Sequence, residues 1–141
     1  IKHAVERMNL PGLPVAYLEY FYAVSNELKR LAKSLNTNLI DMDEVQRQLN
    51  IVSADIDTLK EKTEEIVDQA ALTEQLLQYA NRYRASNERV AAASEQARMF
   101  YERDYNFKQA MDILGSALDS SEPGVYERLV DSYMRRKTPL V

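Results

Sequence analysis

Hydrogen-bonding side chains are concentrated in one stretch near the middle of the chain, "EQLLQYANRYR", residues 74–84. On a helix that turns by 100° per residue, Gln78, Asn81 and Arg82 are mutual neighbours at the i, i+3 and i+4 positions. Amide and guanidinium groups so placed have two uses. They bond the backbone of the helices that follow and fix the turn of the chain, or they recognise a carboxylate or a peptide backbone of a partner. The spacing leaves both open, and the candidate partner-binding residues are Gln78, Tyr79, Asn81, Arg82 and Arg84.

Catalytic groups are scarce in this chain. His3 is the single histidine, cysteine is absent and no glycine-rich phosphate loop is present, so no Ser-His or Cys-His pair can be built. The formal net charge of −4 is not that of a general nucleic-acid binder. We therefore predict that the protein is not an enzyme and takes no cofactor, no small-molecule substrate and no nucleic acid.

Carboxylates are frequent between residues 41 and 68, where lysine and arginine are interleaved with them. Their spacing puts them on the outer faces of a long helix, which predicts a solvated acidic surface. A carboxylate-bundle metalloenzyme is a further alternative, but such bundles use Glu-x-x-His pairs, which this sequence lacks.

Long amphipathic helices must position these side chains. Apolar residues recur every three or four positions over residues 14–35 and again from Met42 to about Ala85, with an average spacing of 3.5 residues, typical of coiled coils and bundles. Asp41 and Glu44 form a capping-box pattern at the start of the second helix, with Ile40 and Val45 placed as its hydrophobic staple.

The C-terminal third is predicted to fold into shorter helices. Asn87 and Asp104 are candidate N-caps, "SSEPG" ends a helix, and Pro123 opens the last one. Residues such as Tyr101 and Ala110 approximate a tetratricopeptide-like hairpin. We expect an all-α, elongated antiparallel helical bundle, with a long-helix segment over residues 1–86 and a short-helix subdomain over residues 87–141 packed on it.

Three segments together are similar to a known family. "LPGLP" (residues 10–14), "EQLLQYANRYR" and "FYERDYNFKQAMDILGSALDSSEPGVYERL" occur in that order. With the long helix between them, they resemble the C-terminal region of the EzrA family of septation ring formation regulators. The Gln-x-x-Asn-Arg element corresponds to that family's C-terminal patch and falls on Gln78, Asn81 and Arg82.

The resemblance implies a spectrin-like array of bundles on the cytoplasmic face of the membrane at the division septum, anchored by an N-terminal transmembrane helix absent from this chain. It also implies FtsZ and other division proteins as partners. Our hypothesis is a non-enzymatic regulator and scaffold of bacterial cell division that modulates FtsZ ring assembly and placement by protein-protein contact. The alternative is a generic helical adaptor whose tetratricopeptide-like hairpin binds a peptide.

Overall fold

The described part of the chain, residues 10–35 and 41–137 of the computed structural model, contains helices and turns and no strand. The helices are α1 (Val15–Leu35), α2 (Met42–Ala80), α3 (Glu88–Met99), α4 (Phe107–Ser121) and α5 (Val125–Arg136), and a π-helical segment, Phe100–Asp104, joins α3 to α4. The predicted all-α bundle is confirmed, and the spectrin-like repeat stays a prediction. No helix within these residues is long and apolar enough to cross a bilayer.

The first compact unit comprises α1 and the part of α2 up to Glu64. Apolar side chains such as Val24, Val52 and Leu59 are buried in it, as the three-four spacing predicts. The hydroxyls of Tyr17 and Thr63 share a hydrogen bond of 2.7 Å inside this contact. The predicted apolar stripe is only partly buried, since its members nearest the α1–α2 connection remain exposed. These are Leu28, Leu35, Met42 and Leu49.

The start of α2 follows its sequence signal. The Asp41 carboxylate accepts hydrogen bonds from the backbone N–H groups of Asp43 and Glu44, at 3.0 and 3.3 Å, so the predicted N-cap is confirmed. The Glu44 carboxylate contacts Arg47 and Gln48 further along the helix. The predicted staple residue Ile40 lies outside the described residues, as does His3.

The second compact unit contains residues 10–14 and 65–137. Its core consists of small and branched side chains of α2, α3, α4 and α5, which close packing of short helices requires. The fully buried aliphatic residues are Leu76, Ala80, Val90, Ala97, Ala110, Leu114, Leu118 and Val125. Thr73 is buried too, and its hydroxyl lies 3.2 Å from the backbone carbonyl of Phe107. The domain boundary between residues 86 and 87 stays a prediction.

The caps of the short helices were predicted with mixed success. Asn87 caps α3, since its side chain accepts from the N–H groups of Arg89 and Val90. Asp104 was wrongly expected to cap α4, because the π-helical segment continues through it and Asn106 caps the helix instead. Between them Tyr105 adopts a left-handed backbone with φ of 54°. Its ring lies on Gly12, where a β-carbon would overlap the ring.

The α4–α5 corner depends on two glycines. The helix α4 ends at Ser121, as "SSEPG" predicts, and α5 begins at Val125, just after Pro123. Gly124 between them has φ of 84°, a conformation that glycine adopts without strain. Gly115 lets the Tyr126 ring of α5 lie directly against the α4 backbone.

Candidate partner-binding surface

The helix α2 ends earlier than the periodicity predicts. We expected it to reach about residue 85, but from Asn81 onward the backbone amides bond carbonyls three residues back. The bonds join Asn81 to Gln78, Arg82 to Tyr79 and Tyr83 to Ala80 at 3.0–3.3 Å. This tightening converts residues 81–86 into turns. Without a glycine or proline to mark it, the termination has no sequence signal.

The tighter turn preserves the predicted neighbourhood. At three residues per turn, positions three apart are eclipsed, so Gln78 and Asn81 face the same way. Arg82 follows directly. The structure therefore brings Gln78, Asn81 and Arg82 together at the C-terminus of α2, and we call these three residues the amide-arginine patch.

All three side chains of the amide-arginine patch are exposed. Within the described ranges, neither the Gln78 nor the Asn81 side chain makes a hydrogen bond. The Arg82 guanidinium carbon lies 4.3 Å from the centroid of the Tyr79 ring, a cation-π contact that fixes the direction of the side chain. The patch thus presents two amides and one oriented guanidinium to solvent.

The two tyrosines of the same stretch have the opposite role. Tyr79 and Tyr83 are half-buried, and both phenol groups donate to one carboxylate oxygen of Glu122, at the end of α4. Their rings pack together with centroids 6.3 Å apart. These residues tie the end of α2 to the α4–α5 corner, so the structural role and the exposed role in "QYANRYR" belong to different residues.

Arg128, on α5, completes this network. Its Nη2 lies 3.1 Å from the Tyr79 hydroxyl and 3.3 Å from the second carboxylate oxygen of Glu122. Neither Glu122 nor Arg128 was predicted to lie here, because both are distant in sequence from Tyr79 and no local pattern marks the pairing. The side chain of Arg128 remains 61% exposed, so it adds a second arginine beside the amide-arginine patch.

Arg84, the remaining predicted site residue, points elsewhere. It forms a 2.8 Å ion pair with Glu95 of α3. Exposed pairs of this kind contribute little to stability, about 0–1 kcal/mol. Arg84 can therefore bind a partner only if its ion pair with Glu95 breaks.

The hydrogen bonds of this network shift the pKa values of Glu122 and Tyr83 in opposite directions. Hydrogen bonds from Tyr79, Tyr83 and Arg128 lower the pKa of the Glu122 carboxyl below its ordinary value. The bond to Glu122 in turn raises the pKa of the Tyr83 phenol. Glu122 is therefore a carboxylate at neutral pH, and Tyr83 keeps its proton and donates a hydrogen bond to that carboxylate.

The surface offers recognition chemistry. Among the described residues, no three histidine, cysteine or acidic side chains come together in a group that could hold a metal ion. Amides both donate and accept hydrogen bonds, and a guanidinium donates in a planar fork that fits a carboxylate. Such groups suit a peptide backbone and acidic side chains.

Comparisons with known proteins agree on one family. The family profile described as "Septation ring formation regulator, EzrA" matches residues 1–133. The septation ring formation regulators EzrA of Lactiplantibacillus plantarum and Streptococcus sanguinis are each 43% identical to this chain over 137 residues. That of Enterococcus faecalis is 39% identical over 135 residues.

These matches cover nearly all of the chain but a minor part of each relative. The match with the Lactiplantibacillus plantarum protein covers 97% of this chain and 24% of that protein. The match with the Enterococcus faecalis protein covers 96% of this chain and 23% of that protein. The chain thus spans about a quarter of the length of these relatives. No solved structure matches it.

Proposed function

Because the chain belongs to the EzrA family of septation ring formation regulators, we propose that it works as a non-enzymatic regulator and scaffold of bacterial cell division. It modulates the assembly and placement of the FtsZ ring through protein-protein contact. The family has a cell-division role, and septation regulation is not a known enzyme class. The partners, FtsZ and other division proteins, and the contact mechanism are the proposed parts.

The exposure of the amide-arginine patch is the single observation that carries this proposal. If Gln78, Asn81 and Arg82 held the bundle together, their side chains would be hydrogen-bonded within it. They are exposed, and Tyr79 and Tyr83 make the contacts that close the bundle. Exposed polar groups that the fold does not use are candidates for recognition.

Orientation supports a binding role as well. Arg82 is held over the Tyr79 ring, and Tyr79 is itself fixed by Glu122. A side chain that is oriented before binding loses less conformational entropy in a complex. We place Gln78, Asn81 and Arg82 at the centre of the partner contact, with Tyr79 as support and Arg84 at the rim.

The proposed setting is the cytoplasmic face of the cell membrane at the division septum. Attachment there is proposed to use an N-terminal transmembrane helix outside this chain. The patch then meets its partners at the division site.

A charge-reversing double substitution tests the proposal. Arg82→Glu with Asn81→Ala should abolish binding to labelled FtsZ, measured by fluorescence anisotropy at several salt concentrations, and should abolish mid-cell placement of a fluorescent fusion. Helicity should be retained and the thermal unfolding midpoint should change little, because neither side chain is hydrogen-bonded and Arg82 loses only one exposed cation-π contact with Tyr79. A control, Arg98→Glu with Gln109→Ala, changes an exposed arginine of α3 and an exposed amide side chain of α4 and should bind normally.

Two results would count against the proposal. If the patch variant binds FtsZ and is placed at mid-cell as the unmodified chain is, the amide-arginine patch is not the binding surface. A collapse of its thermal transition would instead assign the patch a structural role.

A cleft between α3 and α4 supports the second candidate, a helical adaptor that binds a peptide. The cleft has a volume of about 450 Å³, and residues such as Arg89, Gln96 and Ile113 line it around the exposed Ala92. Ala92→Arg would fill it from the solvent side without touching the core. If Ala92→Arg abolishes partner binding while the double variant Arg82→Glu with Asn81→Ala binds normally, the peptide-binding adaptor is the better explanation.

A further inference from the structure

We propose that Arg128 joins the amide-arginine patch, so that two arginines around Tyr79 form a binding site for an acidic peptide segment of a partner protein. This inference rests on the proposed function, whose contact surface it extends and whose partner chemistry it specifies.

One tyrosine holds both guanidinium groups. Arg82 stacks on the face of the Tyr79 ring at 4.3 Å, and Arg128 lies 3.1 Å from its hydroxyl. The two arginines come from the end of α2 and from α5, but the shared ring keeps them on one surface. Their separation is therefore set by a half-buried side chain.

Arg128 keeps donors available for a ligand. Both of its contacts use Nη2, and in the described structure no hydrogen bond uses Nη1 or Nε. A guanidinium engaged at one nitrogen is aligned by that contact and still offers N–H groups to a second carboxylate.

The local charges leave one cation without a counter-ion. Glu122 faces Arg128, and Arg84 is paired with Glu95. Within the described residues, no carboxylate forms an ion pair with Arg82. Of the two guanidinium groups, only that of Arg128 is paired with a carboxylate, and the unpaired positive charge of Arg82 lies at the exposed surface. A partner that supplies carboxylates neutralises this charge.

The same groups fit an acidic peptide better than an anionic membrane. Attraction to lipid headgroups is typical of clusters of about four to eight lysines and arginines. This surface has two arginines, one of which is paired with Glu122. The Gln78 and Asn81 amides add donors and acceptors that match the alternating groups of a peptide backbone.

Binding of a labelled glutamate-rich peptide to the full chain tests this inference, with its glutamine-substituted counterpart and phosphatidylglycerol vesicles as further probes. Arg82→Gln and Arg128→Gln should each weaken glutamate-rich peptide binding about fivefold, the effect of one exposed charge pair. Arg128→Lys, which keeps the charge but not the fork, should weaken it less. Arg135→Gln, in the last turn of the same helix, should leave affinity unchanged.

Glu122→Gln separates recognition from a purely structural role of Arg128. If Arg128 only secures the corner through Glu122, then Glu122→Gln should weaken peptide binding as Arg128→Gln does. If Arg128 binds the peptide, Glu122→Gln frees it from its internal competitor and affinity should be retained or increase. Circular dichroism of each variant confirms that the helices are intact.

Three outcomes would overturn the inference. If Arg128→Gln binds the peptide normally and Arg82→Gln binds it more weakly, Arg128 is not part of the peptide site, and the role of the amide-arginine patch is retained. Equal binding of the glutamate and glutamine peptides, with FtsZ binding still dependent on the patch, would remove the acidic partner class alone. Tight, patch-dependent binding to the vesicles would make a membrane the occupant.

Discussion

Replacing Gly115 by alanine sets two opposed effects against each other at the contact that positions α5. Gly115 lies inside α4, where glycine costs about 1 kcal/mol relative to alanine. Helix propensity alone therefore predicts that Gly115→Ala stabilises the protein. The neighbourhood predicts the reverse, because the added β-carbon would lie 2.3 Å from a carbon of the Tyr126 ring.

The steric effect should exceed the propensity effect. Three ring carbons of Tyr126 lie within 2.9 Å of the new methyl group, including the ring atom attached to the side-chain stem, so a small rotation does not relieve the overlap. Overpacking of this kind costs about 1–3 kcal/mol. After the gain in propensity, we expect Gly115→Ala to lower the free energy of unfolding by about 1 kcal/mol.

Urea unfolding followed by circular dichroism at the helical minimum measures this difference. The same substitution is then made in a Tyr126→Ala background, where the ring is gone and the propensity gain remains. There, Gly115→Ala should raise the free energy of unfolding by about 1 kcal/mol. The double-mutant cycle thus predicts a change of sign.

A single result would refute this reasoning. If Gly115→Ala stabilises the protein to the same degree in both backgrounds, then the Tyr126 ring does not rest on the α4 backbone. The placement of Arg128, which follows Tyr126 on α5, would then lose its support.

Two further predictions concern the contacts around the same corner. Asn87→Ala removes the side chain that caps α3 and also bonds Ser121, and it should lower the free energy of unfolding in urea by about 1 kcal/mol. Replacement of the exposed Asn26 of α1 is its control and should have little effect. The lowered pKa of Glu122 means that its ionised form stabilises the fold above the ordinary value of 4.5, and that this stabilisation is lost as the pH falls through the lowered pKa. The urea midpoint of the unmodified chain should therefore fall more steeply from about pH 5 to about pH 3 than that of Glu122→Gln, and parallel curves would contradict the hydrogen-bonded carboxylate.

Local signals in the sequence predicted what local physics determines. Asp41 and Asn87 were identified as caps because a short polar side chain beside the first free amides of a helix satisfies them. The three-four spacing predicted the helices and much of their buried faces. It could not show that Leu28 and Leu49 stay exposed, since periodicity fixes a direction on a helix and not what lies in that direction.

The predictions from the sequence were wrong where the backbone departs from regular helical geometry. Asp104 fits a cap by type, but the π-helical segment carries the chain past it, and a left-handed tyrosine has no propensity signal. The end of α2 at Ala80 is equally unmarked. The Tyr105 ring lies on Gly12, a residue distant in sequence, and single-sequence patterns do not contain such contacts.

The residue types predicted a candidate surface in this stretch, and the structure separates its exposed residues from its half-buried ones. The sequence identified Gln78, Asn81 and Arg82 as neighbours but could not separate them from Tyr79 and Tyr83. The difference comes from Glu122, which draws the two tyrosines inward. The contacts of Tyr79 and Tyr83 with Glu122 join residues far apart in sequence, so they become visible only once the fold is known.

The contact of Gly12 with Tyr105 should couple substitutions at these two positions. A side chain at position 12 requires a smaller residue at position 105, and such a change also alters the left-handed link that leads into α4. A substitution at position 12 alone should therefore be rejected in a selection that admits some paired ones. Sequences with a larger residue at position 12 should carry a smaller one at position 105, although most of the chain lies between them.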